Sequence, residues 1–192
     1  MRSLNIPNSL TIARIMLAPL LAVAMLPDVT TSIAAAVFAV GMASDLVDGY
    51  LARSRGLVTR FGTLMDPIAD KVFVGTALVC LAATSRLALW VVLTVFAREL
   101  LVTALRLAAR RHGVIIPANQ LGKVKTVVQA SVVFVLLVAD PTATITQLLV
   151  YLMVAVTLLS GVVYAAGYLR GRRILVPRVA SASTAGARAT IG

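Results

Sequence analysis

The sequence predicts an all-α polytopic membrane protein with six transmembrane helices. Of its 192 residues, 60% are hydrophobic and only 13% carry a charge, whereas a soluble domain carries about 25% charged residues. Apolar runs of about 20 residues recur along most of the chain, the length a helix needs to cross about 30 Å of hydrocarbon. The single cysteine, Cys80, lies in one of these runs, so an intrachain disulfide is excluded.

Six apolar segments define the predicted spans. They are, in chain order, Thr11–Leu26, Ser32–Arg53, Pro67–Ala83, Leu87–Ala109, Gly122–Val138 and Ile145–Leu169. The preceding stretch, "MRSLNIPNSL", predicts an N-terminal juxtamembrane segment that forms a short interfacial helix broken near Pro7. Polar turns such as "LPDVTT", "ATSR" and "ADPTAT" join the spans on one side, and longer basic segments join them on the other.

The basic residues predict the orientation of the chain. With six spans both termini face one side, and that side receives the basic loops and the basic tail, whereas the opposite side receives only Arg86. Because cytoplasmic loops collect lysine and arginine, we expect both termini in the cytoplasm and the chain in a bacterial-type inner membrane. The net charge of +11 is then explained by topology, and nucleic acid is not expected as a partner.

Four of the seven acidic residues lie in one stretch, "SDLVDGYLARSRGLVTRFGTLMDPIADK". Asp45 and Asp48 end the second predicted span, and Asp66 and Asp70 open the third. Spacings of three and four residues put each pair on one helix face, so the pairs form a cage of carboxylates at the cytoplasmic end. Such ligands favour Mg²⁺ or Mn²⁺, and four charges suit two metal ions that promote phosphoryl displacement.

Two other interpretations of the aspartates are open. In the first, they only pair with neighbouring cations, namely Arg53, Arg55, Arg60 and Lys71. In the second, they line the path of a divalent-cation transporter. A transport path places acidic residues at several depths, whereas the opposite half of this chain offers only the loop residues Asp28 and Asp140.

The motif also carries a family resemblance. The pattern Asp45-x2-Asp48-Gly49-x2-Ala52-Arg53-x8-Gly62-x3-Asp66-x3-Asp70 resembles the signature of the CDP-alcohol phosphotransferase family at every fixed position. The resemblance implies a six-helix integral membrane enzyme that transfers a phosphatidyl or similar group from a CDP-linked donor to an alcohol and releases CMP. It covers residues 1–170, which we expect to form one membrane domain, and leaves residues 171–192 as a basic, mobile cytoplasmic tail.

The resemblance implies roles for the residues of the motif. Asp45, Asp48 and Asp66 hold two metal ions, and Asp70 is a further ligand or the general base that takes the proton of the acceptor hydroxyl. The CDP-lipid donor lies against the small or phosphate-pairing positions, which are Gly49, Ala52, Arg53 and Gly62. The family resemblance also implies a homodimer.

A second polar cluster bears on the acceptor. Its cations, Arg98, Arg106, Lys123 and Lys125, are expected at the inner end of the bundle near the carboxylates. A neutral alcohol needs no such cluster, whereas a phosphorylated alcohol does, so these residues are predicted to bind an acceptor phosphate. The alternatives are an ion pair with Glu99 for Arg98, and ordinary loop charge for the lysines.

Three further stretches of the sequence predict the donor and the acceptor of the reaction. "ARELLVTALR", "GKVKT" and "NIPNSLTIAR" resemble the phosphatidylglycerophosphate synthase branch of the family, which implies CDP-diacylglycerol as donor and glycerol 3-phosphate as acceptor. The same similarity places Asn8, Thr11 and Arg14 at the nucleotide, with helix capping by Asn8 or Ser9 as the alternative. Acceptors that define a cardiolipin synthase or a phosphatidylinositol-phosphate synthase stay open.

Overall fold

The computed structural model consists of α-helices joined by short connections. It describes residues 6–26, 31–54, 60–111 and 120–189, and individual side chains within 12–44, 65–111 and 120–171. The helices are α1 Ile6–Ala24, α2 Thr31–Ser54, α3 Arg60–Ala83, α4 Leu89–Arg111, α5 Gln120–Val138 and α6 Thr144–Ala189. These described ranges contain six helices and no β-strand, so the all-α prediction is confirmed.

The helix boundaries differ from the predicted ones at the N-terminus. α1 begins at Ile6 and runs without a break to Ala24, so a continuous helix replaces the predicted short helix broken near Pro7. Proline fits the first turn of a helix because its missing N–H would have no partner there.

Two other helices also differ from the predicted spans. α3 begins earlier than predicted, and α6 extends beyond the predicted sixth span. The assignment of residues 171–192 to a separate tail stays a prediction.

The apolar core occupies one half of the bundle. α1 packs against α2 and α3, α6 packs against α4 and α5, and contacts of α2 and α3 with α5 join the two groups. Every helix contributes a large buried side chain to this core, and examples are Leu21, Phe38, Phe73, Val95, Leu136 and Met153. All of these lie in the half of their helix remote from the aspartate stretch. The other half of the bundle, here called the aspartate end, contains the polar groups together with a smaller apolar cluster around Ala109 and Tyr168.

A single glycine allows α2 and α3 to approach each other. Gly41 faces the ring of Phe73, and a Cβ at this position would overlap that ring. The ring is fully buried and stacks on Phe38, with 5.5 Å between ring centroids. Gly41 lies about one helical turn before Asp45, and Phe73 about one turn after Asp70. The contact therefore sets the separation of the two aspartate-bearing helices beside the predicted metal site.

The opposite end of the bundle is closed by Arg86. Its Nε donates to the carbonyl of Leu136 at 2.9 Å, and its Nη2 donates to the carbonyl of Ala139 at 2.8 Å. Carbonyls at a helix C-terminus lack partners within the helix, and a cation there is favourable. Arg86 thus joins the α3–α4 connection to the end of α5, which explains a lone basic residue on this side.

The outer surface of the bundle is apolar. Each helix directs large apolar side chains outward, for example Met16, Val40, Val79, Leu100, Val127 and Leu159. Soluble proteins rarely expose so much contiguous apolar surface, so the described part of the chain is that of a membrane-associated protein. Two helices, Gln120–Val138 and Thr144–Gly171, are long and apolar enough to cross a bilayer.

Substitution of Gly41 tests the α2–α3 contact. We expect Gly41→Ala to lower the free energy of unfolding by up to about 2 kcal/mol, because overpacking typically costs about 1–3 kcal/mol and the gain in helix propensity offsets about 1 kcal/mol of that. Gly122→Ala is the matched control, since a Cβ there would meet no atom within 4 Å. Thermal unfolding in detergent measures both variants, and equal stability of the two would contradict the proposed close contact.

Candidate active site

The predicted carboxylate cage falls where α2 ends and α3 begins. Asp45 and Asp48 lie in α2, and Asp66 and Asp70 lie in α3. Because each helix is continuous through its pair, residues three or four apart share a face. The side chain of Asp70 is partly buried. The other three aspartate side chains lie outside those that the structure describes, so their assignment to metal binding stays a prediction.

The predicted donor-site residues lie in α1, α2 and α3. The side-chain positions of Asn8, Thr11, Gly49, Ala52, Arg53 and Gly62 fall outside the described residues, and their roles stay predictions. Arg14 is described and is only 1% exposed. It belongs to α1, which packs against both aspartate-bearing helices. A buried guanidinium is stable only near anionic or hydrogen-bonding partners, which is compatible with the predicted position at the site.

The carboxylate of Glu99 gathers cations from three helices. Its Oε1 accepts hydrogen bonds from Nζ of Lys125 at 2.5 Å and from Nη1 of Arg98 at 2.8 Å. Its Oε2 lies 3.6 Å from Nζ of Lys71, the residue that follows Asp70. Lys71 belongs to α3, Arg98 to α4 and Lys125 to α5. These four residues, Glu99 with its three cations, are called the Glu99 cluster below.

Arg98 is fixed at both ends of its guanidinium group. While Nη1 donates to Glu99, Nη2 donates to Oγ of Ser160 in α6 at 2.9 Å. Ser160 in turn donates to the carbonyl of Thr157 at 2.8 Å. The neighbouring Gly161 permits this close approach, since a Cβ there would lie 3.2 Å from Cγ of Arg98. The buried Nε of Arg98 has no hydrogen-bond partner among the described residues.

Lys71 is the accessible member of the Glu99 cluster. Its side chain is 47% exposed, against 10% for Arg98 and 9% for Lys125. Nζ of Lys71 donates to Oγ1 of Thr103 at 3.0 Å, and Thr103 donates to the backbone carbonyl of Glu99 at 2.7 Å. The cluster thus opens on the side of Lys71, which directly follows Asp70 in α3.

The predicted acceptor residues are distributed over two places. Arg98 and Lys125 meet at Glu99. Arg98 therefore makes the ion pair given as its alternative interpretation, whereas Lys125 is buried against Glu99 and is not an ordinary loop charge. The guanidinium of Arg106 instead lies over the ring of Tyr164, 5.9 Å from its centroid. Lys123 is exposed, and no contact of it with the Glu99 cluster occurs among the described side chains. Phosphate binding by any of these cations stays a prediction.

Sequence reasoning did not assign Lys71 and Ser160 to this site. Lys71 carried a usable signal, because its position directly after Asp70 places it at the level of the carboxylates. Ser160 carried none, since a serine in an apolar helix gives no indication of which neighbouring helix it faces. Its role follows only from the packing of α4 against α6.

Comparison with known proteins identifies the class to which this site belongs. Residues 4–159 match the CDP-alcohol phosphatidyltransferase family, and the chain belongs to this family. The resemblance predicted from the aspartate motif is therefore confirmed. Membership also favours an enzyme over a cation transporter.

Three relatives within this family carry names that give a more specific activity. The chain is 39% identical to the "Probable phosphatidylglycerophosphate synthase" of Mycobacterium tuberculosis over 176 residues, which cover 88% of this chain and 84% of the relative. It is 39% identical over 147 residues to the "CDP-diacylglycerol--glycerol-3-phosphate 3-phosphatidyltransferase" of Bacillus subtilis, covering 69% and 76% of the two chains. A Rickettsia felis protein with the latter name is 36% identical over 138 residues, covering 71% and 76%.

Replacement of Arg98 by lysine tests the two-ended contact. Lysine keeps the charge but lacks the planar fork that reaches two partners. We expect Arg98→Lys to lower the free energy of unfolding by about 1–3 kcal/mol, because a buried partner is left unsatisfied. Arg106→Lys is the matched control, since Arg106 is exposed and lies over an aromatic ring. Thermal unfolding in detergent measures the stability of both variants. An equal loss of stability in the two would contradict the assigned contacts of Arg98 with Glu99 and Ser160.

Proposed function

We propose that this chain is an integral membrane enzyme of phospholipid synthesis with six transmembrane helices. It transfers the phosphatidyl group of CDP-diacylglycerol to sn-glycerol 3-phosphate, giving phosphatidylglycerophosphate and CMP. The names of the M. tuberculosis and B. subtilis relatives support this reaction. Among the observations on this chain, the Glu99 cluster gives the proposal its strongest support. Lys71 of this cluster directly follows Asp70.

The charge of the Glu99 cluster matches a phosphorylated acceptor. Three cations and one carboxylate leave two net positive charges within a few side chains. A phosphate monoester carries about −1.5 to −2 charge at neutral pH, so the two are complementary. Arg98 and Lys125 are mostly buried, where charge-assisted hydrogen bonds to phosphate are strong. A neutral alcohol would leave this positive charge uncompensated.

The aspartates fit two divalent cations, Mg²⁺ or Mn²⁺. Two continuous helices present carboxylates at spacings of three and four residues, and oxygen-only donors of this kind suit hard cations. Asp45, Asp48 and Asp66 would hold the ions, with Asp70 as a further ligand or as the base. Metal ions at such a site stabilise the negative charge that develops on the pyrophosphate oxygens.

The remaining chemistry belongs to side chains of this chain. Arg98 and Lys125 hold the phosphate of the acceptor, with Lys71 at the open side. Asp70 precedes Lys71 in α3 and lies at the same level of the bundle, and we propose that the hydroxyl of the bound acceptor reaches it. As Asp70 takes the hydroxyl proton, the hydroxyl oxygen forms a bond to the phosphatidyl phosphorus, and the bond from that phosphorus to the CMP oxygen breaks.

The membrane arrangement suits a lipid donor. The acyl chains of CDP-diacylglycerol stay in the bilayer along the apolar outer surface, while its nucleotide reaches the aspartate end. We place this end and both chain termini on the cytoplasmic side of a bacterial-type inner membrane, because the basic loops lie there. The proposed assembly is a homodimer, following the family resemblance.

An acceptor panel tests the proposed reaction. Purified protein in detergent is given CDP-diacylglycerol, Mg²⁺ and one of glycerol 3-phosphate, inositol phosphate, phosphatidylglycerol or glycerol, and CMP release is measured. We expect release with glycerol 3-phosphate. Release only with inositol phosphate or only with phosphatidylglycerol would instead assign the chain to another branch of the family. Metal flux into proteoliposomes without CMP release would support the transporter.

Two matched substitutions separate the roles of the aspartates. We expect Asp66→Asn to abolish CMP release nearly completely and to weaken metal binding, because a charged ligand is lost. Asp70→Asn should lower kcat by about 10²–10⁴-fold, the usual contribution of a general base, with smaller loss of metal affinity. Metal titration of activity measures the metal affinity of each variant, and calorimetry with a CDP-lipid analogue measures its donor binding. Equal loss of metal affinity would show that Asp70 is primarily a ligand.

A further inference from the structure

We propose that Glu99 is a positioning and specificity-determining residue for the acceptor phosphate. It acts through Arg98 and Lys125, which it holds side by side, and it adjusts the charge of the cluster to that of a phosphate monoester. This inference rests on the proposed function, because it concerns the acceptor of that reaction.

The geometry of Oε1 supports the positioning role. One carboxylate oxygen accepts hydrogen bonds from both cations, at 2.5 Å from Lys125 and 2.8 Å from Arg98. Two cations on different helices repel each other, and the repulsion is strong where water is scarce. The shared oxygen offsets this repulsion and fixes both groups. Without it, the two side chains would have no common partner among the described residues.

The cluster retains unused hydrogen-bonding capacity. Nη1 of Arg98 donates to Glu99 and Nη2 donates to Ser160, whereas the buried Nε has no hydrogen-bond partner among the described residues. A buried donor without a partner is costly, and its presence in a side chain that is nine-tenths buried points to a ligand. Lysine also carries three donors, and only one of those of Lys125 is used, on Glu99, among the described residues. We propose that an anion bound between Arg98 and Lys125 uses the remaining donors.

The charge balance supports the specificity role. With Glu99 ionised, the cluster carries two positive charges, which a phosphate monoester neutralises. With Glu99 replaced by glutamine, the three cations lose the counter-ion that they share among the described residues, and with it their fixed arrangement. An acceptor phosphate then meets cations that are no longer held in place for it, so both its affinity and the discrimination among acceptors fall.

Glu99→Gln tests the proposal because the amide keeps the size of the side chain and removes its charge. We expect the KM for glycerol 3-phosphate to rise about tenfold or more, the effect of one lost charge-assisted hydrogen bond, while the KM for CDP-diacylglycerol stays unchanged. Asp140→Asn is the matched carboxylate-to-amide control, since Asp140 lies in the α5–α6 connection at the far end of the bundle. It should leave both values unchanged.

A double-mutant cycle separates positioning from a general structural role. If Glu99 acts through Lys125 as well as Arg98, the effect of Glu99→Gln on acceptor KM should be clearly smaller when Lys125 is already methionine, because contacting residues are not additive. Equal fold-changes in both backgrounds, or a rise in donor KM, would overturn the proposal. If Glu99→Gln does not fold, Ser160→Ala serves instead, and it should raise the same KM by a smaller factor; an unchanged KM would again overturn it.

The acceptor panel with the wild-type protein distinguishes a failure of the proposed acceptor from a failure of the inference about Glu99. If the wild type prefers another phosphorylated alcohol, the proposed acceptor is wrong, and the Glu99 variants are then measured with that alcohol, with the same expected rise in KM. If the wild type uses only acceptors without a phosphate monoester, the inference about Glu99 is overturned together with the proposed acceptor.

Discussion

The aspartate end of the bundle depends on a single carboxylate. Glu99 ties α3, α4 and α5 together through Lys71, Arg98 and Lys125, and Arg98 extends the connection to α6 through Ser160. Charged groups that leave water are stable only when paired and hydrogen-bonded. Removal of this one anion would therefore take away the counter-ion that these cations share among the described residues. The position of these cations relative to Asp70 follows from the same contact.

The apolar half of the bundle holds this polar arrangement in place. Large buried side chains from every helix pack remote from the aspartates, and Arg86 closes that end by capping α5. Between the two halves, Phe73 lies against Gly41 and fixes the approach of α2 to α3. Close-packed interiors resist small displacements. The core accordingly fixes the helices whose polar side chains meet at Glu99.

Hydropathy and spacing predicted much of this structure, and their limits have a physical cause. Apolar runs predicted six helices, and the aspartate motif predicted the family. The ion pair of Glu99 was also foreseen as an alternative, because a charged pair inside an apolar segment requires partners. The contact of Arg98 with Ser160 was not predicted, because it depends on how α4 and α6 are rotated about their axes. That rotation is set by packing around Gly161, which no single-helix pattern encodes.

The carboxylates and the Glu99 cluster are proposed to form one site, with metal at one side and acceptor phosphate at the other. Phosphorus-31 relaxation of glycerol 3-phosphate, measured with Mn²⁺ and a CDP-lipid analogue, tests this proposal, because a paramagnetic ion accelerates relaxation only of nearby nuclei. We expect strong enhancement in the wild type that is lost in both Asp66→Asn and Lys125→Met. Enhancement in the wild type no greater than in Asp66→Asn would show that metal and acceptor phosphate do not share one site.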